Sequence, residues 1–190
     1  GKRNISLSYR CLDPSLSSTV VVEHSYSTIL MSGTLKPTEM YADLLGFPKQ
    51  RTVQKEFGSP FPKKNKLTLI VPETTTKFTQ RSEEQFKNIA KICSNITNTI
   101  KGNSAIFLPS YFLLDQVNRH FSELSQKRII REVPGLSKEG KHDMLEEFKS
   151  QSKEGAILLG VASGSFGEGV DLPGDLLKCV IVVGIPLQKP

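Results

Sequence analysis

Cysteine is scarce. The 190 residues contain three, Cys11, Cys93 and Cys179, far apart and with no C-x-x-C pair. An odd number at such spacing excludes a disulfide framework and offers no zinc-ligand pattern, so buried or free thiols are expected and no metal site is assigned. Long hydrophobic runs are missing as well. The longest, Ala156 to Ala162 and Cys179 to Val183, are far too short to cross a bilayer, and the N-terminus lacks a charged-then-apolar signal pattern. No membrane partner is expected, and the protein reads as intracellular: cytoplasmic in a prokaryote, the favoured source, or nuclear in a eukaryote. The three histidines, His24, His120 and His142, lie in or near helical patterns without an evident acid or nucleophile partner. That argues against a small-molecule enzyme built on His, Cys or Ser catalysis. There is no internal repeat and no low-complexity tract. The Asn-x-Ser/Thr triplets at Asn4 and Asn95 match a glycosylation pattern that an intracellular protein would not use. The chain opens on Gly1 and runs directly into strand-like material, so it is expected to be a fragment.

What is present is the mixture of an ordinary globular protein, with 37% hydrophobic and 23% charged residues. The balance is basic, with a formal charge of +6 and a pI near 9.2. An excess of Lys and Arg favours a polyanionic partner, because these side chains displace counterions from a phosphate backbone, although a solvated charged surface has the same composition.

Up to about residue 58 the pattern predicts strand, helix, strand, helix. Ile5, Leu7 and Tyr9 alternate as in a half-buried strand, Pro14 opens a helix towards His24, and Thr28 to Met31 is a short apolar strand. Pro37 begins a helix through Leu45 that Gly46 and Pro48 end. Gly58-Ser59-Pro60-Phe61-Pro62 reads as an extended connection, and the domain boundary is expected there. Beyond it, Leu67 to Val71 predicts a strand. Phe86, Ile89, Ala90, Cys93, Ile96 and Ile100 then recur at helical spacing as far as Gly102. Ala105 to Leu108 predicts a strand, followed by a helix from Ser110 with Leu114, Val117, Phe121 and Leu124 on one face. Arg128 to Val133 is another strand, and Met144, Leu145 and Phe148 mark another helix. The runs Ala156 to Ala162 and Cys179 to Val183 suit strands buried on both faces. Such alternation predicts an α/β fold with a mostly parallel sheet flanked by helices.

Ligands of open parallel sheets gather at the carboxyl ends of the strands. Three clusters stand there. Ser32-Gly33-Thr34-Leu35-Lys36-Pro37 brings two hydroxyls and a glycine to a turn before a helix, with Thr34 a candidate N-cap. In Leu108-Pro109-Ser110-Tyr111, a strand breaks at a helix start whose free N–H groups suit a phosphate, with Tyr111 beside it able to stack on a base or donate to a phosphate; capping by Ser110 is the local alternative. Gly160 to Gly174 carries five glycines in fifteen residues, with Glu168 and Asp171 adding carboxylates. Its G-x-x-G-x-G order is not the dinucleotide fingerprint G-x-G-x-x-G, so the loop is either a phosphate or ribose site or a tight connection.

In sequence and order, SGTLKP followed by Tyr-x-x-Leu-Leu-Gly-Phe, then FLPSY, then GSFGEGVDLPG and CVIVVGIPL, resembles the XPD-type (Rad3-related) superfamily-two DNA helicases over nearly the whole chain. The clusters match that family's motifs three, four and five. The resemblance implies two RecA-like motor domains, with residues 1–58 ending the first and 59–190 forming the second, cut short before motif six. It implies an ATP-dependent helicase that moves on single-stranded DNA, 5′ to 3′, in DNA repair. By the same resemblance Ser32, Gly33 and Thr34 couple nucleotide state to DNA engagement. Ser110, Tyr111, Ser163, Gly164 and Ser165 contact DNA, while Glu168, Gly169 and Asp171 face the nucleotide cleft, with Asp171 on the ribose.

ATP and Mg²⁺ are implied for the full-length enzyme, as is an iron–sulfur cluster in the missing part. This stretch has no G-x-x-x-x-G-K-[ST] loop and no Asp-Glu-Ala-His magnesium motif, so by itself it is expected to bind none of these and to hydrolyse no ATP. Gly167 departs from the family, which often has a larger residue there. A DinG-like relative and a binding-only domain with the motor fold are the competing readings. Besides single-stranded DNA and the missing first motor domain, self-association through an exposed apolar edge is expected.

Overall fold

The structure, a computed structural model, describes residues 7–185. By internal contacts the chain divides into one unit ending at Thr68 and another beginning at Leu69.

Among the described residues the first unit contains two α-helices. Asp13 accepts from the backbone N–H and hydroxyl of Ser15, at 3.0 and 2.6 Å, and Pro14 then enters α1, Ser15–His24. Helix α2, Thr38–Leu44, follows Pro37 and ends at Gly46, whose φ of +71° lies in the left-handed region. Both helices therefore form where the prolines and Gly46 predict them. Thr34, however, is not an N-cap: its backbone N–H turns back to Ser32 Oγ at 3.2 Å, and α2 starts four residues later behind Pro37, with no side-chain cap.

Thr28 to Met31 and Leu67 to Val71, both expected as strands, are not strands. A strand exists only with a ladder partner, and among the described residues neither segment has one. Of the expected first strand, Leu7 and Tyr9 are likewise unpaired and exposed, and Ile5 lies outside the described residues. Apolar side chains along this unit, among them Leu12, Leu16, Ile29, Met31, Val53 and Leu67, are exposed.

The second unit is a parallel four-stranded sheet between helices, as the alternating pattern predicts. Its strands are β1 Ser104–Leu108, β2 Arg128–Arg131, β3 Ala156–Val161 and β4 Cys179–Val182, in the order β2-β3-β1-β4. Three helices accompany them: α3 Glu83–Thr99, α4 Tyr111–Leu124 and α5 Lys138–Ser150. Each begins at a serine whose side chain accepts a backbone N–H three residues on: Ser82 from Gln85, Ser110 from Leu113 and Ser137 from Gly140.

Alternate residues of the strands supply two cores. Ile106, Leu108, Ile157 and Leu159 pack against Phe86, Ile89, Val117 and Phe121 of α3 and α4. Ala105, Ile130, Ala156 and Leu158 pack with Phe148 of α5 and with Phe166 on the opposite face. Because β1 and β3 are covered on both sides, they read as continuous apolar runs. His120, expected to lack an acid partner, meets Glu83: its Nε2 lies 2.6 Å from Oε1. The two residues are 37 positions apart and meet because α3 and α4 pack side by side. Among the described residues no helix is long and apolar enough to cross a membrane.

At the amino ends of the strands sits Asn103, fully buried. Its Nδ2 donates to the Phe148 and Leu176 carbonyls at 2.6 and 3.2 Å, and its Oδ1 accepts from Ala156 N at 2.8 Å. Nearby, Lys127 Nζ donates to the carbonyls of Ile100 and Gly102 at 2.5 and 2.8 Å, satisfying the end of α3, while burial lowers its pKa. Asn103→Ala removes all three side-chain bonds and leaves the buried Ala156 N–H without this acceptor, while the Phe148 carbonyl keeps the Gln151 N–H at 3.3 Å. Urea unfolding is expected to register a loss of about 3 kcal/mol in this unit; a loss within the range of an exposed Asn→Ala change would refute the bracing role.

Candidate functional site

The parallel register brings the carboxyl ends of the strands level: Leu108 pairs with Val161, Arg131 with Leu159, and Phe107 with Val182. After β1 the chain turns through Pro109 and Ser110 into α4 on one face of the sheet. After the adjacent β3 it passes through residues 162–178 on the opposite face, where Phe166, Val170, Leu172 and Leu177 join the core with α5. Neighbouring strands whose connections leave on opposite faces open a crevice at their carboxyl ends, the position where such sheets bind ligands. Ser110 and Tyr111 form one lip, and Ala162 to Ser165 the other.

The lips are tied together by Glu132, which follows β2 and is 0% exposed. Its Oε2 accepts from Val161 N at 2.9 Å, and its Oε1 accepts from Ser165 N at 2.5 Å and from the Tyr111 hydroxyl at 3.1 Å. Its own backbone N–H donates to Leu159 O at 2.9 Å. The carboxylate fills the space a side chain would need at two glycines, since a Cβ on Gly160 would come within 2.9 Å of Oε2 and one on Gly164 within 2.6 Å. Burial, and then the hydrogen bond and negative charge of Glu132, push the Tyr111 phenol above its ordinary pKa.

Beyond Ser165 the loop is pinned by Phe166, 3% exposed, with Lys141 Nζ 5.9 Å above its ring. At Gly167 a Cβ would lie 2.9 Å from the Ala162 carbonyl carbon, so a larger residue does not fit this loop conformation. Gly169 has a φ of +68°.

The geometry thus unites Tyr111, Gly164 and Ser165 around one carboxylate, with Ser110 at the start of α4. Ser163, Glu168, Gly169 and Asp171 are exposed on the loop, and the two carboxylates make no side-chain hydrogen bond among the described residues. Ser32, Gly33 and Thr34 are exposed in the other unit, in a local turn where the Ser32 and Thr34 hydroxyls lie 3.3 Å apart. Glu132 is the residue that sequence reasoning missed. Its signal was an acid at the carboxyl end of an apolar strand, where ligand-side residues of such sheets collect.

The cysteines do not fit an iron–sulfur cluster. Cys11 is exposed in the first unit, and in the second burial pushes the Cys93 thiol up to about 12, far from the thiolate a cluster needs.

Comparison with known proteins gives a match of residues 93–190 to the family described as helicase C-terminal domain. The chain is 30% identical to the ATP-dependent DNA helicase CHL1 of Candida albicans, over 96% of this chain and 24% of that protein. It is 26% identical to the general transcription and DNA repair factor IIH helicase subunit XPD/RAD3 of Saccharomyces cerevisiae, over 97% and 25%. It therefore spans about a quarter of the length of these relatives. A solved XPD helicase structure superposes with a TM-score of 0.61 at 23% identity, covering 90% of this chain and 30% of that one, which shows the shared fold.

Glu132→Gln removes the charge and turns an amide NH₂ towards groups that are themselves donors. In an alkaline absorbance titration, with Tyr111→Phe as the reference, the Tyr111 phenol is expected to ionise at lower pH in Glu132→Gln than in the parent. Tyr111's folded-state pKa lies above the usual value of about 10, so its share of stability is intact below that pH and is lost as pH rises through the folded value. An unchanged Tyr111 titration would exclude the coupling.

Proposed function

The chain belongs to the helicase C-terminal domain family, and to its XPD type, and from that premise we propose that it forms part of an ATP-dependent DNA helicase moving on single-stranded DNA, 5′ to 3′. The single observation that carries the reading is the junction at Glu132, which holds the lips after β1 and β3 in fixed relation at the strand ends. Residues 1–58 then derive from the end of the first motor domain and 59–190 from the second. The exposed apolar side chains of the first unit suit docking of the rest of the first domain, or self-association when it is absent.

Ser110, Ser163 and the Ser165 hydroxyl donate to phosphates along the strand. The Ser165 backbone N–H and the Tyr111 hydroxyl are held by Glu132, so their work is to aim the loop, with Gly164 giving the carboxylate room and the Tyr111 ring turned to the DNA side. Such contacts fix position without reading sequence, as a translocase requires. Glu168, Gly169 and Asp171 serve the nucleotide, Asp171 through the ribose, and Ser32, Gly33 and Thr34 relay the nucleotide's state. ATP is the substrate. This sequence has no phosphate loop and no magnesium motif, so the phosphates, Mg²⁺ and any iron–sulfur cluster belong to the remainder of a protein of the relatives' length, and the chain alone hydrolyses no ATP. Such a protein works in the compartment that holds the DNA.

The test is fluorescence anisotropy of the chain with labelled single-stranded DNA across a salt series. Binding is expected to fall steeply with salt, and Ser163→Glu is expected to weaken it about fivefold by setting a negative charge against the phosphates. Ser122→Glu makes the same change at an exposed serine near the far end of α4 and is expected to leave binding within about twofold of the parent. Equal effects of the two substitutions, or no binding at low salt, would remove DNA contact from this site.

A further inference from the structure

One segment of the chain is strongly basic. Six of the chain's 25 Lys and Arg residues, Lys49, Arg51, Lys55, Lys63, Lys64 and Lys66, fall within residues 49–66, where Glu56 is the single acid. Glu56 is paired with Lys36 at 2.6 Å, and Lys49 lies 3.5 Å from Asp43. Among the described residues the other five cations form no ion pair. Lys63 and Lys64 lie in a single 3₁₀ turn, which closes through the Lys66 N–H onto the Lys63 carbonyl at 3.1 Å, so three lysines share one short turn of backbone.

Two aromatic rings stand within this charge. Phe57 and Phe61 are 77% and 81% exposed, on either side of Gly58-Ser59-Pro60. Lys55 Nζ sits 5.0 Å from the centroid of the Phe57 ring. The Phe61 N–H is held by Ser59 Oγ at 3.3 Å, and Pro60 and Pro62 restrict the backbone around it. Exposed apolar side chains run along the whole first unit, and what sets Phe57 and Phe61 apart is that they stand among lysines without ion pairs, which a purely apolar protein contact has no use for. Rings with a base-stacking face, cations at phosphate reach and a backbone stiffened in advance are together the requirements of a single-strand binder.

We propose that residues 55–66 form a second contact for single-stranded DNA, in which Phe57 and Phe61 stack on unpaired bases while Lys55, Lys63, Lys64 and Lys66 neutralise the phosphates beside them. The contact lies wholly in the first unit and is separate from the Glu132 junction. It deepens the proposed function and rests on it for the choice of ligand. A duplex, with its bases already stacked, offers the rings nothing, so the contact discriminates against double-stranded DNA.

The experiment uses the whole chain and three probes: a fluorescent oligothymidine, an abasic strand of the same length, and polyglutamate as a competitor. The Phe57→Ala/Phe61→Ala variant is expected to lose about tenfold in affinity for oligothymidine, from the loss of stacking, and to bind the abasic strand as the parent does. Lys63→Glu/Lys64→Glu/Lys66→Glu is expected to weaken both strands. The proposal is overturned if the ring variant binds oligothymidine like the parent, if it loses equally on both strands, or if polyglutamate competes as well as oligothymidine. Should Ser163→Glu weaken binding while the ring variant does not, this contact fails and the proposed function stands. If the ring variant weakens binding and Ser163→Glu does not, the contact at residues 55–66 stands and DNA contact at the crevice fails. No binding to either strand overturns both.

Discussion

A buried carboxylate that forms no ion pair among the described residues organises this domain. Taking Glu132 out of water costs several kcal/mol, roughly, unless its lone pairs are filled, and here two backbone N–H groups and a phenol fill them. The donors come from different places: Val161 at the end of β3, Ser165 in the loop after it, and Tyr111 at the start of α4 behind β1. No conformation that separates these three satisfies the carboxylate, so its desolvation becomes a penalty against every arrangement except one. The glycines at 160 and 164 follow from the same constraint, since a side chain at either would occupy the space the carboxylate needs.

Asn103 does the corresponding work at the other end of the sheet. It joins the start of β3 to the end of α5 and to the segment entering β4, while its own carbonyl accepts from Lys178 N at 2.9 Å. Between these two polar clamps the central strands β1 and β3 are apolar and covered on both faces, so they contribute rigidity but little directional information. Packing of Phe121 and Phe148 drives assembly, and the buried polar groups select the register in which assembly ends. A crevice that must present hydroxyls at fixed positions benefits from that division, because its lips inherit the rigidity of the strands beneath them.

Much of this was legible in the sequence, for physical reasons that differ by element. Helices α3 and α4 announce themselves through a local period and a capping serine, both set by residues three or four positions apart. The runs that became β1 and β3 were legible because strands covered on both faces carry no polar alternation to confuse them, whereas β4, expected to be buried on both faces, forms at the sheet edge with Val180 and Val182 exposed. Thr28 to Met31 and Leu67 to Val71 have the same composition and are not strands, because pairing depends on a partner elsewhere and composition does not say whether one is present. Glu132 was illegible for a related reason: it is one acid among nineteen Asp and Glu, and its role depends on groups 21 to 33 positions away. The His120–Glu83 pair escaped in the same way. The turn at Ser32 to Thr34 illustrates the converse, since capping chemistry was visible there but the choice between capping α2 and closing on itself was made by Pro37.

On the proposed function, the distribution of charge bears on how the chain would hold a polyanion and still release it. The crevice of the second unit is built from hydroxyls and glycine backbone, above a buried negative charge and beside the exposed Glu168 and Asp171. Neutral donors in such surroundings hold a phosphate by geometry more than by attraction, and a contact of that kind is lost once the loop shifts by an ångström or so. Long-range attraction to a polyanion needs a cluster of cations instead, and in this chain the densest cluster is the segment around Phe57 and Phe61, in the first unit. If both proposed contacts act on one strand, a grip divided in this way would keep the strand near through screened, forgiving electrostatics, while the step itself would be governed by short hydrogen bonds that a small conformational change can make or break. For a translocase, which must release at each cycle without dissociating, those two requirements conflict within a single site, and two separate contacts of the proposed kinds would resolve the conflict.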